Sequence, residues 1–168
     1  MRIFRVAIVA GAMAAGIVYA QSPIERTRVE FTAPVGYRDW RLISVAREEA
    51  HLDDIRAVLG NDVAINAYRK GQRPFPDGTV IARLAWSLDP SAENNKAFGR
   101  VQSFVAGAPK NGVQFMVRDS SKYSSTGGWG YSQFDDGKAL TDRAMLRSCF
   151  DCHHAIKNRD YVFTRYAP

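Results

Sequence analysis

Hydrophobic and polar residues alternate, or give way to short apolar runs, in several segments of this chain. The alternation is clearest from Thr79 to Leu88, where every second residue is apolar: Val80, Ala82, Leu84 and Trp86. The other segments of this kind are Trp40 to Ala46, Gly99 to Ala106, Gly112 to Val117 and Trp129 to Phe134. Such patterns are typical of β-strands, so we predict a strand in each segment.

Helical segments are fewer and shorter. Asn61 is placed to cap a helix over residues 62–69, because an asparagine side chain can accept a hydrogen bond from a free backbone N–H at a helix start. Thr141 is placed in the same way before a segment that runs to Ser148. We therefore predict one helix in the middle of the chain and one near its C-terminus.

Turn-forming residues separate the predicted strands. The segment from Pro109 to Gly112 predicts a turn, and the polar segment from Ser91 to Lys96 predicts an exposed loop. No internal repeat is seen in the sequence. Strands joined by turns, with helices among them, predict class α+β: an antiparallel β-sheet with a few short helices.

The N-terminus has a different pattern, which is typical of a secretory signal peptide. Arg2 and Arg5 come first, an apolar run from Val6 to Ala15 follows, and Ala20 ends a small-residue cleavage site. An uncleaved membrane anchor is the alternative, but this run is shorter than the roughly 18 residues of a spanning helix. We predict that residues 1–20 are removed and that residues 21–168 form one periplasmic or otherwise exported domain, without stable membrane insertion.

Charge limits the classes of partner. The formal net charge is +6, and two of these units belong to Arg2 and Arg5. The other lysines and arginines are spread along the chain rather than clustered, so we expect no nucleic-acid binding. A mild excess of positive charge could favour an acidic redox partner protein or an anionic small molecule.

The two cysteines of the chain lie three residues apart, in the segment Cys149-Phe150-Asp151-Cys152-His153. On a helix, this spacing places both thiols about one turn apart, on neighbouring parts of one face. Each thiol can form a thioether bond with a vinyl group of a haem, and the adjacent histidine can ligate the iron. We therefore predict one covalent haem c on a C-terminal helix, attached through Cys149 and Cys152, with His153 as the metal ligand.

Three other sites are compatible with closely spaced cysteines: a structural disulfide, a dithiol redox site and a zinc site. A disulfide across one helical turn would constrain the chain little. A thioredoxin-like dithiol would be expected in a βαβ unit, and zinc would need a further ligand from His51 or His154. We favour haem, since the predicted export places the chain where haem c is attached.

Six segments occur in an order and spacing that is more specific than any one of them: Tyr37 to Trp40, Tyr68 to Gly71, Phe75 to Val80, Gly127 to Tyr131, Cys149 to His153, and Asp160 to Phe163. Together they resemble the cytochrome P-460 family, which also includes the cytochromes c′-beta. The resemblance covers nearly the whole chain after the signal peptide. It implies a mainly antiparallel β fold, a haem c bound through the C-terminal motif, five-coordinate iron and a homodimer.

Members of that family differ in function, and two residues bear on the difference. In the hydroxylamine-oxidising members, a lysine is cross-linked to the porphyrin and a distal carboxylate accepts protons. The resemblance places Arg83 at the position of the lysine and Gln114 at that of the carboxylate. Arginine is a poor nucleophile, and glutamine cannot act as a general base. Both are therefore candidate distal-side residues of a different activity.

The function that we predict is that of a mono-haem c-type cytochrome with five-coordinate iron. It would bind a small diatomic ligand, nitric oxide or carbon monoxide, or carry electrons. Arg83 could donate hydrogen bonds to the bound ligand, and an outward arginine paired with an acid is the other reading of this residue. Phe75 is our candidate for a phenylalanine that crowds the haem, as in the cytochromes c′-beta. The alternative function is a hydroxylamine-oxidising enzyme of the P-460 type, a haem-dependent oxidoreductase acting on hydroxylamine or nitric oxide.

Overall fold

The computed structural model describes residues 31–167 and contains a six-stranded antiparallel β-sheet whose strands follow one another in chain order. The strands are β1 (Arg41–Glu48), β2 (Asp54–Gly60), β3 (Val80–Pro90), β4 (Phe104–Arg118), β5 (Trp129–Asp135) and β6 (Lys138–Ala139). The α-helices are α1 (Asp62–Arg69), α2 (Ala92–Phe98) and α3 (Arg143–His154). The predicted α+β class, with its antiparallel sheet and C-terminal helix, is confirmed.

The predicted signal peptide, residues 1–20, lies outside the described residues. Within residues 31–167, none of the helices has the length and apolar character needed to cross a membrane. Export and cleavage therefore stay predictions.

Strand β4 differs from the sequence prediction. The strand predicted over Gly99 to Ala106 begins only at Phe104, and it continues without a break to Arg118. The turn predicted at Pro109 to Gly112 is instead an irregularity inside this strand, where the pairing with β3 shifts and Asn111 has a φ of 59°. The turn-forming residues thus bend the strand rather than end it.

Strand β2 and helix α2 were not predicted. β2 places Asp54 in the buried interior, followed two residues later by Arg56, and these charges interrupt the apolar alternation that would signal a strand. The loop predicted over Ser91 to Lys96 is wrong, because α2 forms there with Ser91 as its N-cap. None of the α2 residues is buried, so the helix has no apolar periodicity to reveal it.

The two larger helices begin at side-chain caps. The predicted cap of α1 is confirmed, since the Asn61 Oδ1 accepts a hydrogen bond from the Ala64 N–H at 3.0 Å. The predicted Thr141 cap of α3 is wrong by one residue. The Asp142 carboxylate accepts from the Ala144 N–H at 2.9 Å instead, and its negative charge also suits a helix N-terminus.

Both faces of the sheet are covered. One face, which we call the helix face, packs its apolar residues against α1 and α3: Ile43, Val58, Ile81, Met116 and Tyr131. The opposite face has a second core, formed by Leu59, Ala82, Leu84, Phe115 and Phe134. Because strand side chains alternate between faces, Arg83 and Gln114 lie on the helix face, two positions along their strands from Ile81 and Met116.

Candidate haem-binding site

Helix α3 carries all three residues of the predicted attachment motif. Cys149 and Cys152 are free thiols, the first partly buried and the second exposed. They are separated by about one helical turn, and His153 follows directly on the same helix. This arrangement can supply two thioether bonds and an adjacent iron ligand.

The alternatives for the cysteines gain no support from the described residues. Both thiols are free, so no disulfide joins them. Within residues 31–167, no group of three or more His, Cys, Asp or Glu side chains is placed to hold a bare metal ion. A haem iron is held by the porphyrin nitrogens and can do with a single protein ligand, which His153 can provide.

One hydrogen bond fixes which nitrogen of His153 can bind a metal. The Nδ1 lies 2.6 Å from the carbonyl oxygen of Tyr161. Because a carbonyl oxygen only accepts hydrogen bonds, Nδ1 must carry the proton and donate. Nε2 is then the unprotonated nitrogen, and its lone pair can ligate iron.

The surroundings of His153 favour the same neutral state. Burial lowers the pKa of His153 below its usual value, against the opposing effect of the hydrogen bond to Tyr161. The imidazole packs edge-on against Phe163 at a centroid distance of 5.1 Å and lies 5.2 Å from the Tyr131 ring. A neutral imidazole among aromatic side chains is suited to ligate a metal through its unprotonated nitrogen.

The Tyr161 carbonyl is positioned by a tight turn that is anchored to the sheet. Asp160 and Tyr161 both have left-handed backbone, with φ angles of 54° and 63°. The aspartate carboxylate accepts hydrogen bonds from the Phe75 N–H at 2.6 Å and from the Trp129 Nε1 and Arg118 Nη1, both at 3.3 Å. Three separate parts of the chain therefore hold the turn that orients the histidine.

A row of polar side chains crosses the helix face of the sheet. Arg83, Gln114 and Gln133 are register partners on β3, β4 and β5. The Arg83 Nη1 donates to the Gln114 Oε1 at 2.9 Å, and the Gln114 Nε2 donates to the Gln133 Oε1 at 2.8 Å. The structure thus brings the two predicted distal-side residues into contact and adds Gln133 to them. We call these three residues the polar row.

The β2 end of the polar row is an ion-pair cluster. The Arg83 Nη2 donates to the Oδ2 of Asp54, a fully buried residue. The Asp54 Oδ1 accepts a second hydrogen bond from the Arg56 Nε at 2.8 Å. The pKa of Arg83 lies below its usual value, because burial and then the charge of Arg56 lower it more than Asp54 and Glu48 raise it. The guanidinium still stays protonated. Arg83 is therefore paired with an acid, and it lies inward on the helix face.

Two observations relate the polar row to the attachment motif. Burial raises the pKa of the Cys149 thiol, while the positive charge of Arg83 acts to lower it. Nearby, the buried Tyr131 hydroxyl has no hydrogen-bond partner in the described part of the chain. Two free thiols, an unprotonated imidazole nitrogen and an unpaired hydroxyl are a set of groups that fits a covalent haem.

Phe75 has a core position beneath the Asp160 turn. It is 1% exposed, and its ring packs edge-on against Tyr68 and Trp129 at centroid distances of 4.9 and 5.7 Å. Its backbone N–H anchors Asp160. Contact between Phe75 and a haem stays a prediction.

Sequence reasoning missed three residues of the site: Asp54, Gln133 and Asp160. Asp54 and Gln133 join Arg83 and Gln114 only through strand pairing, which the sequence does not reveal. Asp160 stands in one of the six segments that carry the family resemblance, so its place along the chain is part of that resemblance. Its role depends on contacts with three distant segments, which only the fold brings together.

The sequence model of one protein family, described as Cytochrome P460, matches residues 34–164. The matched range contains the attachment motif, the polar row and the Asp160 turn. No curated protein matches the chain. Membership in this family implies a c-type haem, with which the spacing of Cys149 and Cys152 agrees.

Proposed function

Because the chain belongs to the cytochrome P460 family, we propose that it is an exported mono-haem cytochrome that binds a small diatomic ligand, nitric oxide or carbon monoxide. Cys149 and Cys152 hold the haem c, and His153 ligates its iron from one side. The haem would supply an iron atom that can bind a diatomic molecule. The protein would supply the attachment through the two cysteines, the histidine ligand and the N–H donors of the polar row.

The observation that carries this proposal is the hydrogen bond from His153 Nδ1 to the Tyr161 carbonyl at 2.6 Å. It leaves Nε2 unprotonated before any metal arrives, so the histidine need not lose a proton to ligate iron. The hydrogen bond also increases the electron donation of the ring to the metal. A preset proximal ligand of this kind supports a stable five-coordinate haem.

The polar row supports ligand binding on the other side of the haem. Arg83 and the amides of Gln114 and Gln133 are N–H donors, and N–H groups stabilise the partial negative charge on a diatomic ligand bound to iron. Their hydrogen bonds to one another fix their orientation. Such a row suits a ligand that accepts one or two hydrogen bonds.

The same residues argue against the alternative function, oxidation of hydroxylamine. Arg83 donates through both terminal nitrogens and is no free nucleophile for a porphyrin cross-link. Gln114 cannot take up a proton. Asp54 does bring a carboxylate to this face, but both of its oxygens already accept hydrogen bonds from arginines. A haem-to-lysine cross-link found by peptide mass spectrometry would favour the enzyme.

Two finer points belong to the same proposal. The haem can also pass electrons to a redox partner protein, for which the mild positive charge of the chain suits an acidic surface. The protein would form the homodimer that the family resemblance implies, and light scattering measures this directly. Exposed apolar residues around the β3–β4 connection are candidate contacts of the dimer: Phe98, Val101, Phe104 and Val105.

Optical spectroscopy of the purified, haem-loaded protein tests the proposed function. We expect a five-coordinate high-spin ferrous spectrum that changes on addition of carbon monoxide or nitric oxide, because we assign the iron no protein ligand other than His153. His153→Ala should keep the covalent haem but change the ferrous spectrum before any gas is added. A six-coordinate ferrous spectrum that neither gas alters would contradict the proposal.

A further inference from the structure

We propose that Asp54 is a specificity-determining residue, which makes the ligand side of the haem site select uncharged ligands over anions. The inference rests on the proposed function and deepens it by naming the class of ligand. It depends on the contacts of Asp54 with Arg83 and Arg56, on the charge that these residues carry together, and on the donors that the polar row offers.

Asp54 uses both carboxylate oxygens on arginines. Its Oδ1 accepts from the Arg56 Nε at 2.8 Å, and its Oδ2 accepts from the Arg83 Nη2. The side chain has no exposed surface, and a buried carboxylate is stable as an ion only when it is paired in this way. Asp54 is therefore a fixed negative charge in direct contact with Arg83.

The cluster as a whole has no net charge. The Arg56 Nη2 also lies 2.8 Å from the Glu48 Oε2, so two guanidinium groups face two carboxylates. The positive charge of Arg83 is therefore balanced within the protein, and it has little attraction left for an anion at the iron. An arginine beside a haem would otherwise favour anionic ligands.

The polar row still offers hydrogen bonds to a neutral ligand. Arg83 donates to Gln114, and Gln114 donates to Gln133, but an amide nitrogen carries two N–H groups, so Gln114 keeps a second donor. The amide groups are uncharged, so they stabilise a bound diatomic molecule without attracting anions in general.

Substitution of Asp54 by asparagine separates charge from shape. Asp54→Asn keeps the size and one acceptor oxygen, and it leaves Arg83 with an unbalanced positive charge. We expect the ferric haem protein near neutral pH to bind azide roughly tenfold more tightly or better. The affinity of the ferrous protein for carbon monoxide should stay within about threefold, since that ligand is neutral. Both affinities come from optical titration.

The adjacent residue provides a matched control. Asp53 is exposed and pairs with Arg47, so Asp53→Asn should leave the azide affinity unchanged. Arg83→Gln should have the opposite effect to Asp54→Asn, because it leaves the carboxylate in excess, and should weaken azide binding. If Asp54→Asn does not fold, the azide affinity of Arg83→Gln tests the proposed charge balance instead.

The outcomes separate this inference from the proposed function. An unchanged azide affinity in Asp54→Asn with an intact haem spectrum would overturn the role of Asp54, as would an unchanged azide affinity in Arg83→Gln. In either case, normal carbon monoxide binding would leave the proposed function standing. If the wild-type protein bound neither ligand, the proposed function itself would fail.

Discussion

The carboxylate of Asp160 links the proximal side of the candidate haem site to the sheet. It accepts three hydrogen bonds from separate segments, and the next residue, Tyr161, accepts the hydrogen bond of His153. Asp160 is linked to His153 through Tyr161, whose carbonyl accepts the histidine hydrogen bond. It is a positioning residue that acts through the carbonyl group of its neighbour.

Asp160→Asn tests this role in the haem-loaded protein. The amide keeps one acceptor oxygen but loses the charge that binds Arg118, so we expect a loss of about 2 kcal/mol in the free energy of unfolding, measured by denaturant titration. A looser Tyr161 carbonyl should also weaken the His153 hydrogen bond. The iron–histidine stretching frequency of the ferrous protein should then fall and its reduction potential should rise.

An exposed aspartate between β1 and β2 is the control for that substitution. Asp53 pairs with Arg47 at the protein surface, and such surface pairs contribute little. Asp53→Asn should change the free energy of unfolding by less than about 0.5 kcal/mol and leave the iron–histidine frequency unchanged. If Asp160→Asn lowered stability without moving that frequency, its role would be structural only.

Single residues could be predicted from the sequence where the chemistry is local. The spacing of Cys149, Cys152 and His153 is readable without a fold, and the structure places all three on α3. The resemblance pointed to Arg83 and Gln114, and the structure pairs them across β3 and β4, although their role at a haem stays a prediction. Partners on other strands depend on register, and the sequence pattern does not fix register.

The turn before β5 and the turn after α3 fit together closely. Gly127 has a φ of +66°, and a Cβ at this position would overlap the ring of Tyr161. Glycine is needed here for both reasons, since left-handed backbone is unfavourable for other residues and the space is already filled. The turn before β5 therefore limits the position of the segment that contains Tyr161.

Gly127→Ala should destabilise the protein by about 2–4 kcal/mol, as the sum of backbone strain and overpacking. It should also displace Tyr161 and so alter the ferrous haem spectrum. Gly137→Ala is the matched control, because Gly137 has a φ of +74° but nothing within 4 Å of an added Cβ. The control should cost only about 1 kcal/mol. If Gly127→Ala and Gly137→Ala lowered the free energy of unfolding equally, in thermal or denaturant unfolding, the contact with Tyr161 would be shown to be unimportant.

At the level of elements, the sequence predicted strands and helices whose apolar residues recur at a regular interval or whose cap is recognisable. It missed the elements that lack these features. The Thr79 to Leu88 pattern corresponds to β3, and the Asn61 cap to the start of α1. β2 escaped prediction because the charged residues Asp54 and Arg56 stand at its start. α2 escaped because none of its residues is buried. Charged or fully exposed elements lack the apolar period on which the prediction depends.

The whole molecule joins one sheet face to one C-terminal helix, and the proposed haem site uses both. α3 supplies the attachment residues, the following turn sets the iron ligand, and the strands supply the polar row. The class of fold and the type of site could be expected from the order of segments along the chain. The charge balance of the site could not, because Asp54, Arg83 and Arg56 meet only in the folded sheet.

The intact mass of the exported protein tests the central claim most directly. We expect the chain purified from cells that attach haem c to have the mass of its polypeptide after signal-peptide removal plus one haem, which remains bound under denaturing conditions. Cys149→Ala combined with Cys152→Ala should remove that added mass. A wild-type protein with the mass of its polypeptide alone, made by cells that attach haem to a control cytochrome, would contradict the account.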